Sequence, residues 1–389
     1  MKLSERAGKI APSITLTISA KAKEMKAGGA PVLNFSAGEP DFDTPEPIKE
    51  AAVRAMREGF TKYTPAGGIL ELKEAVIAKY EREVGIGYSP SEVMVSNGGK
   101  HALHNIFQAI LNPGNEVIIP SPYWLSYPDM VRLSDGTPVI LETGISGDYK
   151  FTPEDLRRAI TPKTRILILN SPTNPTGAVY AAKELKEIAG VLEGEDILVI
   201  SDDVYEKFVF DGQPFVNLLS LAPGLKDRVV IVNSVSKTYS MPGWRIGFAL
   251  GPADLIGAAT KIQGQATSCP NAISQKAVAF ALNADQGFLE EWRVSFERRR
   301  DIMVEGLKVI PGIEVVNPAG AFYVFADVSE FYGRLEGVSG SVGFCDYLLK
   351  RFQIACVPGA AFGEDRCIRF CFATDEASIR EAMERLKDL

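Results

Sequence analysis

In the stretch Asn233-Ser234-Val235-Ser236-Lys237-Thr238-Tyr239-Ser240-Met241-Pro242-Gly243-Trp244-Arg245-Ile246-Gly247, small hydroxyl residues precede one amine and one guanidinium. Serine hydroxyls and a guanidinium can hold a phosphate, and a lysine amine can condense with an aldehyde. The preceding run, Arg228-Val229-Val230-Ile231-Val232, is short, apolar and β-branched, which predicts a buried strand leading straight into these groups. Taken alone, a lysine after a strand is more often a solvated surface residue. The reading therefore depends on what the other strand ends carry.

Strand and helix patterns alternate along the chain from residue 46 to about 284. Glu92–Ser96, Glu116–Ile119, Arg165–Leu169 and Ile197–Ile200 read as unbroken apolar strands, with helical periodicity between them. That pattern predicts an α/β fold with a largely parallel sheet covered on both faces. Gly98-Gly99-Lys100, Trp124, Asn174, Asp202, Tyr205 and Lys237 all fall just past the carboxyl ends of predicted strands, the edge where such sheets bind ligands.

Each of these residues has a use in binding pyridoxal 5'-phosphate, whose ring carries both an aldehyde and a phosphate. Gly98-Gly99 before a helix offers backbone N–H groups and a dipole for the phosphate, and Ser234, Ser236 and Arg245 add further ligands. Asp202 could keep a pyridine nitrogen protonated, which makes the ring an electron sink. Tyr205 and Asn174 could hydrogen-bond the ring oxygen, and Trp124 could stack on the ring. Lys237 would be the covalent anchor and then the proton carrier. Individually the bland readings stand: Tyr205 and Trp124 as core, Asn174 as a turn residue, Asp202 as a cap.

At 389 residues, the chain is long enough for two domains. It is 46% hydrophobic and 23% charged with a net charge of −7, which argues against a general nucleic-acid or anionic-membrane binder. No apolar run approaches the roughly 18 residues of a membrane span, and residues 1–20 lack the apolar core of a secretory signal, so a cytoplasmic location is expected. The five cysteines contain no CxxC pair, and the two histidines, His101 and His104, have no third partner type nearby, so no metal is expected. Arg298-Arg299-Arg300 reads as a solvated helix face.

The motifs together resemble the fold-type I, class I aminotransferases that depend on pyridoxal 5'-phosphate, along essentially the whole chain. The likeness is carried by Ser36-Ala37-Gly38-Glu39-Pro40-Asp41-Phe42, Asn170-Ser171-Pro172-Thr173-Asn174-Pro175-Thr176-Gly177, Ser234-Val235-Ser236-Lys237, Gly243-Trp244-Arg245-Ile246-Gly247, Val357-Pro358-Gly359 and Arg369. The resemblance implies a large domain over residues 46–284 with a mostly parallel seven-stranded sheet. A smaller α+β domain would combine residues 1–45 with 285–389 and close on the substrate. It also implies that Arg369 grips the substrate α-carboxylate with Asn174, Trp124 and the Gly38 backbone. In a homodimer, Tyr63 would reach the phosphate of the neighbouring subunit.

Within that family the pattern resembles the bacterial-type aspartate branch, where Lys100, Ser13 and Thr15 would meet the distal carboxylate of aspartate or 2-oxoglutarate. Relatives that also accept prephenate carry a lysine where this chain has Ala11. Aromatic, alanine or prephenate aminotransferases are the alternatives on the same fold. A non-catalytic cofactor-sensing regulator is a remoter one, since the roughly 45 residues before the helix at Glu46 leave no room for a helix-turn-helix module.

Overall fold

The structure, a computed structural model, describes residues 3–8, 10 and 14–389; Ala11 and Ser13 lie outside them, as does the side chain of Thr15. Seven strands form the main sheet: Val93–Ser96, Glu116–Ser121, Thr137–Glu142, Thr164–Asn170, Leu198–Asp202, Val229–Ser234 and Gly247–Leu250. Counted by place in the chain, their spatial order is first, seventh, sixth, fifth, fourth, second, third. Neighbours are parallel except Gly247–Leu250, which runs against both of its partners. The sheet is thus mixed, with one reversed strand.

The unbroken apolar character of the central strands follows from burial on both faces. Along Val229–Ser234, Val229 and Ile231 enter one core, with Val199 and Leu167. Val230 and Val232 enter the other, with Ile200, Ile168 and Met94. This is the two-residue alternation of a strand, with apolar partners on either side. Helix Ala272–Asn283 packs with Glu46–Arg57 and Leu70–Val84, while Gly99–Ile110 packs with Ala253–Ala266.

A further core gathers the later part of the chain. Glu314–Val315, Tyr323–Asp327, Cys367–Cys371 and Val357–Pro358 make an antiparallel sheet in which Tyr323 lies opposite Cys371, and Phe325 opposite Arg369. Leu33–Asn34 joins this region by pairing in parallel with Ile354–Ala355. Phe35, from the early chain, packs into the same core as Phe296, Phe322 and Phe370.

Helix Phe288–Lys308 corrects one reading of the sequence. Its buried positions include Trp292, Phe296, Arg299, Arg300, Met303, Val304 and Leu307, a helical spacing that places two of the three consecutive arginines inward. Arg299 pairs with Asp41 at 2.7 Å and lies over the Phe42 ring at 5.2 Å. Arg300 forks onto both Asp211 oxygens at 2.7 and 2.8 Å and also donates to the Pro318 carbonyl. Only Arg298 is exposed, paired with Glu376 at 3.0 Å.

Asp41 and Phe42 belong to a segment that crosses between the cores and is fastened along its length. Phe42 stacks on Trp292 with ring centroids 4.6 Å apart, and its carbonyl accepts from the Ser240 hydroxyl. The Thr44 hydroxyl donates to the Ser240 carbonyl at 2.8 Å and accepts from the Trp244 indole at 3.1 Å. Among the described residues no helix is long and apolar enough to cross a membrane.

Removing one partner of a buried pair strands the other charge, which costs about 3–5 kcal/mol, whereas exposed pairs contribute about 0–1 kcal/mol. Asp211 is 43% exposed on its side chain, so the charge left by removing Arg300 stays hydrated and the cost falls below that range, in the lost charged hydrogen bonds. R300M is expected to lower chemical-denaturation stability by about 2–3 kcal/mol and R298A by less than about 1 kcal/mol. Equal effects of the two substitutions would contradict the inward role of Arg300.

Candidate active site

The carboxyl ends of the parallel strands and the start of the crossing segment enclose a cavity of about 510 Å³. Gly38, Lys100, Trp124, Asn174, Asp202 and Tyr205 line it, as do Ser234, Ser236, Lys237, Arg245 and Arg369, together with Gly99. Nearly all of the site residues expected from the sequence therefore meet in one place. Gly98 stands just behind, against Arg245. Tyr63 does not line this cavity; it is 91% exposed. Ser13 is outside the described residues, and so is the Thr15 side chain.

Lys237 sits on the short helix Val235–Thr238, which begins directly at the end of strand Val229–Ser234. The Ser234 hydroxyl caps that turn by accepting from the Ser236 N–H at 3.3 Å. The ammonium of Lys237 donates to the Gly38 carbonyl. Burial pushes its pKa down to about 8, so a substantial fraction is neutral amine near physiological pH. A buried amine of lowered pKa can act as a nucleophile.

Asp202 ends the adjacent parallel strand. The Tyr127 hydroxyl donates to its Oδ2 at 2.6 Å, and burial pushes the carboxyl up to about 6. The neighbouring Asp203 has a different task. It accepts from Ser201 at 2.7 Å and from Asn217, and it does not line the cavity. Strand alternation thus sends the two consecutive carboxylates to opposite faces.

One end of the cavity is built for an anion. Gly98 holds φ +90°, and a Cβ there would meet the Arg245 guanidinium at 2.4 Å; a Cβ on Gly247 would meet the Gly99 backbone nitrogen at 2.3 Å. The two glycines therefore let the start of helix Gly99–Ile110, with its free N–H groups, pack against the guanidinium and the serine hydroxyls. Arg245 is steadied by donating to the Pro242 carbonyl at 2.7 Å and the Asn97 carbonyl at 3.3 Å. Lys100 lies 4.9 Å over the Trp124 ring, and its pKa is lowered by burial and then by the Arg245 charge.

Arg369 lies at the opposite wall, 2% exposed. It donates to Asn174 Oδ1 and to the Ser36 carbonyl, both at 3.0 Å, and its guanidinium is 4.4 Å from the Tyr323 ring centroid. Its Nε has no hydrogen-bond partner among the described residues, so the group retains donor capacity. Tyr205 meets Tyr323 hydroxyl to hydroxyl at 2.8 Å.

Three contributors carried no role in the sequence reading. Tyr127, Tyr323 and Asn170 all line the cavity. Asn170 ties two strand ends together, donating to the Asp202 carbonyl at 2.8 Å and accepting from the Asn174 N–H at 3.1 Å. It stood within a quoted motif. Tyr127 and Tyr323 looked like core aromatics; the available signal was that a buried phenol needs a hydrogen-bond partner.

The family described as aminotransferase class I and II matches residues 30–386. An aspartate/prephenate aminotransferase from Nitrosomonas europaea is 46% identical, covering 100% of both chains. An aspartate aminotransferase from Geobacillus stearothermophilus is 45% identical over 99% of this chain and 98% of its own. The crystal structure of the aspartate aminotransferase from Rhizobium meliloti superposes with a TM-score of 0.96 at 45% identity, covering 100% of this chain and 98% of that one. The chain belongs to the class I and II aminotransferases and has the fold-type I architecture of that family.

The Tyr127 hydrogen bond holds Asp202 down against the upward push of burial. A hydrogen bond to a charged group is worth about 1.5–3 kcal/mol, or roughly one to two pKa units. In ligand-free protein, Y127F is therefore expected to move the Asp202 titration from about 6 to a higher pH. Carbon-detected NMR, with D202N identifying the signal, checks this; an unmoved or lowered titration would contradict it.

Proposed function

We propose that this protein is a pyridoxal 5'-phosphate-dependent aspartate aminotransferase. It moves the amino group of aspartate to 2-oxoglutarate in two half-reactions, giving oxaloacetate and glutamate. The observation that carries the reading is a buried amine of lowered pKa, Lys237, enclosed in one cavity with a buried carboxylate, a glycine-lined anion pocket and a second guanidinium. The names borne by full-length relatives support aspartate as the donor.

The residues present fit that cofactor by their chemistry. The Gly98–Gly99 turn, Lys100, Ser234, Ser236 and Arg245 offer donors and positive charge for its phosphate. Asp202 offers a carboxylate for a ring nitrogen, Tyr205 and Asn174 offer polar groups for a ring oxygen, and Trp124 offers an aromatic face. When bound, the cofactor supplies an aldehyde to receive the amino group and an electron-poor ring that stabilises negative charge at the substrate Cα.

The chain's own residues then divide the work. Lys237 would hold the cofactor through Nζ; once released, that amine would carry a proton between the substrate Cα and C4' of the cofactor, in either direction. Its lowered pKa suits it to both acts near neutral pH. Asp202 holds a proton on the ring nitrogen by being ionised beside it. Arg369 receives the substrate α-carboxylate, with Asn174, Trp124 and the Gly38 backbone orienting it. Lys100, with Ser13 and Thr15, receives the distal carboxylate. Residues 1–45 and 285–389 close over the bound substrate and exclude water. The working unit is a cytoplasmic homodimer in which the exposed Tyr63 reaches the phosphate of the neighbouring site.

Two measurements test this reading. K237A is expected to abolish the near-UV/visible absorbance of the borohydride-fixable form and to lower turnover by roughly 10²- to 10⁴-fold; retention of that form would remove Lys237 from its role. An amino-donor and acceptor panel of aspartate, tyrosine, alanine and prephenate should favour aspartate, and K100A should then lower kcat/KM for aspartate by roughly tenfold to a hundredfold more than for alanine. No turnover of aspartate would reject the substrate; prephenate turnover would show that Ala11 does not exclude it.

A further inference from the structure

We infer that Tyr323 is a positioning residue for the transamination, aiming and strengthening the Tyr205 hydroxyl with its own hydroxyl while its ring seats the Arg369 guanidinium. The inference rests on the proposed reading in which Tyr205 donates to the cofactor's ring oxygen.

Tyr323 lies on strand Tyr323–Asp327 of the antiparallel sheet, two residues ahead of Phe325, which faces Arg369 across the ladder. It is 1% exposed, yet it lines the cavity formed at the other sheet's strand ends. Its hydroxyl is 2.8 Å from that of Tyr205, itself 3% exposed. Each phenol has one proton. If Tyr205 gives its proton to a ligand oxygen, the pair stays bonded only when Tyr323 donates to Tyr205. A donor whose oxygen also accepts is polarised and becomes the stronger donor.

The same side chain serves Arg369 through its face. The guanidinium lies 4.4 Å from the ring centroid, the distance of a cation–π contact, while its NH groups are held by Asn174 and the Ser36 carbonyl. Space is tight around the hydroxyl: a Cβ on Gly38 would lie 2.9 Å from it. Gly38 is therefore constrained by Tyr323 as well as by its carbonyl's bond to Lys237. One phenol thus couples the expected ring-oxygen ligand to the expected carboxylate ligand.

The two functions separate by substitution. Y323F removes the hydroxyl and keeps the ring; Y323L removes both. In cofactor-loaded protein, the pH midpoint of the near-UV/visible band reports how well the ring oxygen is stabilised, and a weaker donor moves that midpoint up. Y205F should raise it, and Y323F should raise it by about half to one pH unit, the worth of one neutral hydrogen bond. Adding Y323F to Y205F should then do nothing more. Binding of the unreactive dicarboxylate maleate should change by less than about twofold in Y323F but weaken about three- to thirtyfold in Y323L, as loss of a cation–π contact predicts.

If Y205F shifts the midpoint and Y323F lowers only thermal stability, Tyr323 is merely structural and the inference falls while the proposed reading stands. An additional shift in the double variant shows action that bypasses Tyr205 and also overturns it. If Y205F itself leaves the midpoint unmoved, the Tyr205 assignment fails and takes the inference with it.

Discussion

A half-buried amine and a fully buried carboxylate line one cavity without forming an ion pair. Lys237 and Asp202 follow adjacent parallel strands, and among the described residues neither has an ion-pair partner. Other bonds hold each in place: Tyr127 on Asp202, and the Gly38 carbonyl on Lys237. Burial has moved both groups toward their neutral forms, Lys237 to about 8 and Asp202 to about 6. A sheet edge with such groups left unpaired is less stable than one lined by apolar residues, a sacrifice expected where a ligand will complete the pairing.

That requirement explains why the site spans two cores. One sheet alone could supply Lys237, Asp202 and the anion pocket, because all three lie at its carboxyl edge. It could not supply a guanidinium on the opposite wall. Arg369 and Tyr323 come from the antiparallel sheet, and their bonds to Asn174 and Tyr205 cross the cavity. The fastened segment carrying Ser36, Gly38 and Asp41 supplies the third side. Arg299 and Ser240 grip it from different cores, so the position of Gly38 depends on both. A change in how the cores meet would reach Lys237 and Arg369 through this one strip of backbone.

The groups at the strand ends were legible because polar residues interrupt apolar runs at a predictable place. The anion pocket was legible only by convergence, since Gly98-Gly99 alone could be an ordinary helix start and gained meaning beside Ser234, Ser236 and Arg245. What escaped was polarity carried by residues that also look like core. Tyr127 and Tyr323 are buried aromatics by every local criterion, and only their partners reveal a role. Arg299 and Arg300 escaped differently. Three arginines in a row suggest a charged face, but the spacing from Trp292 and Phe296 to Met303 and Leu307 already placed two of them inward. Helical period outranked composition there. The reversed strand Gly247–Leu250 was hidden because its first residue closes a ligand motif and only three residues follow it, too short an apolar run to stand out.

Substrate choice is the least legible feature, and its physics explains why. On the proposed reading, any 2-amino or 2-oxo acid would present the same α-carboxylate to Arg369, and the residues at the sheet edge would work on atoms common to all such substrates. On the proposed reading, discrimination comes from the far end, where Lys100 lies over Trp124 with its pKa lowered. A distal carboxylate would restore the solvation that Lys100 has lost. An apolar side chain would displace water and leave the charge without a partner. Selectivity of this kind comes largely from the cost imposed on the wrong substrate, because an unpaired buried charge is penalised more heavily than a good pair is rewarded. It can therefore rest on a single lysine at a helix start, while the sheet and both cores stay the same for every substrate the family handles.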